Sequence, residues 1–137
     1  MSEHTPRTFS AGECASLSKT ITETDVTLYA GITGDFNPVH IDAEYAKTTR
    51  FGARIAHGML TTGFISAVLG MKLPGPGAIY LGQELKFLKP VYIGDTITAR
   101  VEVLEFHAEK KILVAKTECL NHRGETVLTG TAKLLVP

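Results

Sequence analysis

Asp35 and His40 lie five positions apart in the segment Thr33-Gly34-Asp35-Phe36-Asn37-Pro38-Val39-His40-Ile41-Asp42. Side by side, a carboxylate and an imidazole can share one water. Histidine has the side chain whose unperturbed pKa lies nearest neutrality, and a carboxylate neighbour can orient the ring and exchange protons with it. Asn37-Pro38 predicts an irregular, non-helical backbone between the two, because proline restricts the residue before it and has no amide to donate. By residue type alone, the pair is equally compatible with a turn aspartate bonding its own backbone and a core histidine with satisfied nitrogens.

The other chemistry-bearing residues form no competing constellation. Cys14 and Cys119 lie far apart, with no CxxC or Cys/His cluster, and are expected to be reduced and inert. Outside the Asp35/His40 segment no histidines and carboxylates have metal-ligand spacing, so no metal is expected. His57 is read as helping to position the loop before an apolar run, and His4, His107 and His122 as tail, strand-end and turn residues. Gly75, Gly77 and Gly82 do not form a GxGxxG opening a helix, which argues against a nucleotide-binding fold. Lys86, Lys89 and Arg100 are isolated cations on strands, where solvation is the ordinary state. The 14 basic and 14 acidic residues cancel, which argues against a nucleic-acid binder or a membrane-surface protein. A small molecule or another protein fits better as the partner.

The elements that must position the pair follow from periodicity. Leu81, Gln83, Leu85 and Phe87 share one face of a predicted half-buried strand. Ile97, Ala99, Val101 and Val103 do the same after the turn signal Gly94-Asp95. Residues 111–120 and 126–136 flank a hairpin turn at Asn121-His122-Arg123-Gly124. Closely spaced strands without helical crossovers predict an antiparallel sheet. Residues 57–70 are apolar or small nearly all round, the pattern of a helix buried on most sides, with Gly70 as its stop. A short helix is expected near residues 25–32, and Asp42 reads as the N-cap of another over residues 43–46. The expectation is an α+β chain: one domain over residues 1–137, with a curved antiparallel sheet of about five or six strands around one long helix. The polar start lacks the apolar stretch of a signal peptide, and no segment reaches the about 20 apolar residues of a membrane span, so a cytoplasmic location is expected.

The string from Ile32 to Asp42, then Phe51-Gly52 and Ile55-Ala56-His57-Gly58-Met59, resembles the signature of the MaoC-like (R)-specific enoyl-CoA hydratases. The likeness continues through Leu73-Pro74-Gly75-Pro76-Gly77-Ala78-Ile79-Tyr80-Leu81-Gly82-Gln83 and Pro90-Val91-Tyr92-Ile93-Gly94-Asp95, missing only the first dozen or so residues. It implies a hot-dog fold, a homodimer, and a hydro-lyase that interconverts enoyl-CoA and (R)-3-hydroxyacyl-CoA without metal or cofactor. It also implies that Asp35 and His40 are the catalytic dyad and that the Gly58 amide binds the thioester oxygen. Asn37, His57 and Ser66 complete the set as substrate-binding candidates. A helix start at Gly58 suits the Gly58 role, since unpaired amides and the positive end of the helix dipole favour a developing enolate oxygen. Where the family often has a proline before the His-Gly pair, this chain reads Gly52-Ala53-Arg54. Arg54 is expected to be solvated there, as are Lys86, Lys89 and Arg100, with the coenzyme's phosphates as the alternative partner of each. The rival functions are (R)-3-hydroxyacyl-ACP dehydration, thioester hydrolysis, and non-catalytic binding of acyl thioesters. Polyhydroxyalkanoate precursor supply and fatty acid metabolism are both open to such an enzyme.

Overall fold

In β3 (Thr96–His107) the residues Ile97, Ala99, Val101 and Val103 are buried on one face, as the alternation requires. β4 (Ile112–Leu120) repeats the pattern with Leu113, Ala115, Thr117 and Cys119, and β5 (Thr126–Leu135) follows through the turn at Asn121–Gly124. Before them in the chain come β1 (Cys14–Thr20) and β2 (Ile79–Phe87). All pairings are antiparallel, in the order β1-β3-β4-β5-β2, giving a five-stranded sheet. The computed structural model describes residues 7–137, so the readings of His4 and of the first six residues lie outside the described residues.

The helices are α1 (Glu23–Thr33), α2 (Pro38–Ile41), α3 (Ala43–Lys47) and α4 (Gly58–Met71). Thr22 caps α1 in a reciprocal capping box with Asp25, and Asp42 caps α3 by accepting from the Tyr45 amide, as its position predicted. The concave side of the sheet holds α4, which buries Thr61, Thr62, Ile65, Val68 and Leu69. Ile65 and Leu69 join Leu113 and Val101 in one core. Each such large aliphatic side chain contributes roughly 1.5–3 kcal/mol by leaving water. This is the sheet-around-helix, hot-dog arrangement.

Three expectations need correcting. The face of α4 along Met59, Gly63, Ser66 and Gly70 is exposed, so the helix is buried on three sides rather than on nearly all. Gly70 is not its stop: the helix runs on to Met71. In β2, Leu81 and Phe87 are about half exposed, and only Gln83 and Leu85 are partly covered. The reason is position: β2 is an edge strand, and α4 reaches β1, β3 and β4 more than it reaches β2.

The segment joining β2 to β3 matters most for the site. It crosses in front of the sheet, where the Ala56 amide donates to the Val91 carbonyl (2.7 Å) and Ile55 bridges Tyr92. The approach to α4 is therefore pinned on one side by that crossing segment and on the other by α2, through the Ile55 amide and Val39 carbonyl (3.2 Å).

Candidate active site

Short-range polar contacts build the segment around Asp35. Gly34 ends α1 in the left-handed conformation (φ 82°) that glycine adopts without a Cβ clash, and its amide returns to the Ala30 carbonyl at 2.8 Å. Asp35 Oδ1 accepts from the Asn37 amide (3.2 Å), and Asn37 Oδ1 accepts from the Val39 amide (3.3 Å). Pro38 therefore does not keep the backbone irregular as its sequence suggested; it opens α2 at the first helical position. There its missing amide costs nothing and its fixed φ is already helical. This short helix carries His40.

His40 is buried, with 8% of its surface exposed, and its Nδ1 lies 2.8 Å from the Ile55 carbonyl. A carbonyl only accepts, so Nδ1 carries the proton and the neutral ring keeps its lone pair on Nε2. Burial, chiefly, and the nearby His57 hold the His40 pKa below its ordinary value, against the opposing pulls of the Ile55 bond and of Asp35. His40 is thus a neutral base at pH 7. His57 stacks on it, ring centroids 3.9 Å apart, and donates from Nε2 to the Asp35 backbone carbonyl (3.0 Å). One ligand-capable atom from each of Asp35, His40 and His57 falls within 4.8 Å of the others. The trio suits a metal poorly: the rings are stacked at 28°, so their in-plane lone pairs run nearly side by side instead of converging. His57 Nδ1 is enclosed and has no hydrogen-bond partner among the described residues.

His40 opens onto a cavity of about 430 Å³, walled by apolar side chains including Phe51, Ile55, Phe87, Val91 and Leu128. Gly58, the first residue of α4, lies in the same wall, and no side chain caps the helix there. A Cβ at this position would meet the Phe87 ring at 2.6 Å, so glycine allows that ring to close over the helix start. The arrangement sets a base and the start of a helix at one apolar pocket, with a carboxylate close to the base. It can polarise and deprotonate water beside a carbonyl compound.

The MaoC like domain model matches residues 11–122. The chain belongs to the MaoC-like family. It is 55% identical over 126 residues to the (R)-specific enoyl-CoA hydratase of Rhodospirillum rubrum, spanning 92% of this chain and 87% of that one. It is 49% identical to the 3-hydroxybutyryl-CoA dehydratase of Methylorubrum extorquens, over 88% of this chain and 76% of the other. Among solved structures, an (R)-hydratase from A. caviae involved in PHA biosynthesis superposes with a TM-score of 0.92. It covers 96% of this chain and 99% of its own at 40% identity.

Not every residue singled out in this MaoC-like sequence lies in the cavity. His40 and Gly58 line it, and Asp35, on the exposed loop beside His40, does not. Asn37 has its side-chain oxygen engaged as the α2 cap. His57 sits behind His40, 2% exposed. Ser66, on the exposed face of α4, lines a separate groove with Tyr80 and Gln83. Arg54, expected to be solvated, instead turns inward: Nε donates to the His40 carbonyl (2.6 Å) and Nη1 pairs with Glu23 (2.7 Å). The departure from the family's proline thus adds a brace beneath α2. Lys86 lines a groove with Glu84 and Lys116, and Arg100 pairs with Glu102 and Glu118, whereas Lys89 does line the cavity. Arg50 lines it too, and nothing in local periodicity distinguished it. Cys119 is buried, its thiol pushed up to about 12 by burial, and it stays protonated.

Proposed function

We propose that this chain is an (R)-specific enoyl-CoA hydratase, adding water reversibly to a trans-2-enoyl-CoA to give the (R)-3-hydroxyacyl-CoA. The observation that carries the reading is the His40 ring, neutral, with Nε2 free at the end of an apolar cavity and the Asp35 carboxylate beside it.

In this reading one water donates one O–H to the Asp35 carboxylate and the other to His40 Nε2. As the water oxygen bonds to the β-carbon, His40 takes its proton and the π electrons move toward the α-carbon and the thioester oxygen. The Gly58 amide, with the helix dipole behind it, faces the charge gathering on that oxygen. The dyad then delivers the proton to the α-carbon and regains its starting state. Apolar walls keep the electrostatic contacts strong by excluding bulk water. His57 and Arg54 act on the dyad indirectly, the first through the Asp35 carbonyl and the second through the His40 carbonyl.

Crotonyl-CoA tests the reading, because hydration removes the enoyl absorbance without releasing free thiol, whereas hydrolysis releases it. Asp35→Asn and His40→Asn are each expected to slow hydration by about 10²–10⁴-fold, the usual range for a positioned acid or base. Full rates in both variants would remove the dyad from the mechanism.

We also infer a homodimer formed through β2. Of the two open sheet edges, β1 carries Ser16, Ser18 and Lys19, while β2 carries exposed Ile79 and Leu81 beside exposed Met59 of α4. An uncovered apolar edge strand invites pairing, and a second copy would cover both that edge and the groove holding Ser66. Sedimentation should give about twice the 14.8 kDa chain mass, and a monomer at micromolar concentration would count against the inference.

A further inference from the structure

The cavity is walled mainly by apolar side chains, and its two permanently charged lining residues, Arg50 and Lys89, are both cations exposed to solvent. With 14 basic and 14 acidic residues the chain is neutral, so two cations and no carboxylate among the lining residues of one cavity are a local feature rather than a reflection of general basicity. The two residues differ in their surroundings. Lys89 is paired with Glu125, whose carboxyl is held down to about 2 by Lys89, Asn121 and Arg123, so it stays ionised and offsets part of the lysine's charge. Arg50 has no ion pair among the described residues. Its guanidinium lies 5.2 Å from the centre of the Phe51 ring, itself part of the cavity wall.

The backbone beside Arg50 is fixed. The Phe51 amide donates to Thr49 Oγ1 (3.3 Å), the Phe51 carbonyl accepts from Tyr92 Oη (2.9 Å), and Gly52 turns the chain at φ 72°. A rigid base lowers the entropy lost when a long side chain engages a ligand. With a thioester at His40 and Gly58, the lining cations Arg50 and Lys89 are the charged groups of the same cavity that its carrier would meet. Such a carrier is joined through a pantetheine phosphate ester, and arginine's planar fork suits phosphate oxygens.

We propose that Arg50, assisted by Lys89, binds a phosphate of the thioester's pantetheine carrier. The proposal rests on the hydratase reading above. The phosphate is either the one next to pantetheine, shared by CoA and acyl carrier protein, or one on the nucleotide part that CoA alone carries.

The test compares kcat/KM for crotonyl-CoA, crotonyl-4′-phosphopantetheine and crotonyl-pantetheine. Arg50→Ala should lower the ratio of the CoA thioester to the pantetheine thioester about tenfold, the scale of one hydrogen bond to a charged group. Taking the ratio separates a lost phosphate contact from general damage to the fold. Lys89→Ala should lower it less, since Glu125 already compensates that charge, and Arg50→Lys should restore part of the loss. A loss shared by the phosphopantetheine thioester puts the contact on the phosphate common to both carriers. A loss confined to CoA puts it on the nucleotide phosphates. An unchanged ratio in Arg50→Ala overturns the proposal. Failure of the unaltered protein to hydrate any of the three would instead sink the hydratase reading, and this contact with it.

Discussion

Across β3, β4 and β5, order comes from alternation: every second residue along most of each strand turns an apolar or small side chain into the core, and the ladders between strands are nearly continuous. Between Thr33 and Gly58, order comes from side chains bonded to backbone: Asn37 to Val39, His40 to Ile55, Arg54 to the His40 carbonyl, and His57 to Asp35. The crossing segment links the two regions, with the Val91 carbonyl holding the Ala56 amide and Tyr92 bridging Ile55 and bonding the Phe51 carbonyl. Apolar burial is non-directional and large in sum, so it suits a scaffold. Hydrogen bonds contribute little net energy each but fix angles, so they suit a site that must aim a lone pair. Stability and catalysis should therefore be separable in this chain.

The largest effect that would break this separation lies in the sheet. Leu113 is fully buried in β4, outside the cavity lining, and pairs across the ladder with Phe106 and Leu134. Leu113→Ala should cost about 2–5 kcal/mol of unfolding free energy, read from the urea midpoint, because it leaves a cavity in a close-packed layer. Hydration by the fraction that remains folded should keep its kcat. A kcat that fell in step with the midpoint would show that the site draws on sheet packing after all.

The same contrast explains what the sequence made legible. Period-two alternation reports directly on which side chains of a strand share a face, so β3 could be read residue by residue, while β4 and β5 were read from composition and the turn between them. It cannot report what covers that face, which is why Leu81 and Phe87 were expected to be half-buried and instead stand at an open edge. In the site, Asp35 and His40 stood out by type and spacing, and their resemblance to a known signature pointed to their role. His57 belongs with them through no periodicity. It reaches His40, 17 positions earlier in the chain, only because the start of α4 is folded back against α2. Arg50 is similarly defined by a cavity whose walls come from distant segments, the crossing segment and β5 among them. Arg54 was misread because its partners, the His40 carbonyl and Glu23, carry no sequence signal pointing at it.

A smaller effect sharpens the comparison from the site's side. The pH dependence of kcat/KM reports the free enzyme's essential base, and His40 can take a proton from water only while Nε2 is unprotonated. Its pKa lies below the ordinary 6.5, through burial first and the neighbouring His57 ring second, so the acid limb should have its midpoint below 6.5. An acid limb at or above 6.5 would mean that a different group is the base. His57→Phe keeps an aromatic ring against His40 but removes the neighbour that helps hold the His40 pKa down, so the midpoint should move upward even as the lost bond to the Asp35 backbone carbonyl lowers the rate. Stability follows the same shift with a definite sign. Because the folded pKa is depressed, the unfolded chain binds the proton first as pH falls below 6.5. The His40 contribution to stability is thus fully present above that value and is lost progressively as pH falls toward and through the folded pKa. In His57→Phe that loss should end at a higher pH, with a smaller total, because the folded and unfolded pKa values of His40 then lie closer together.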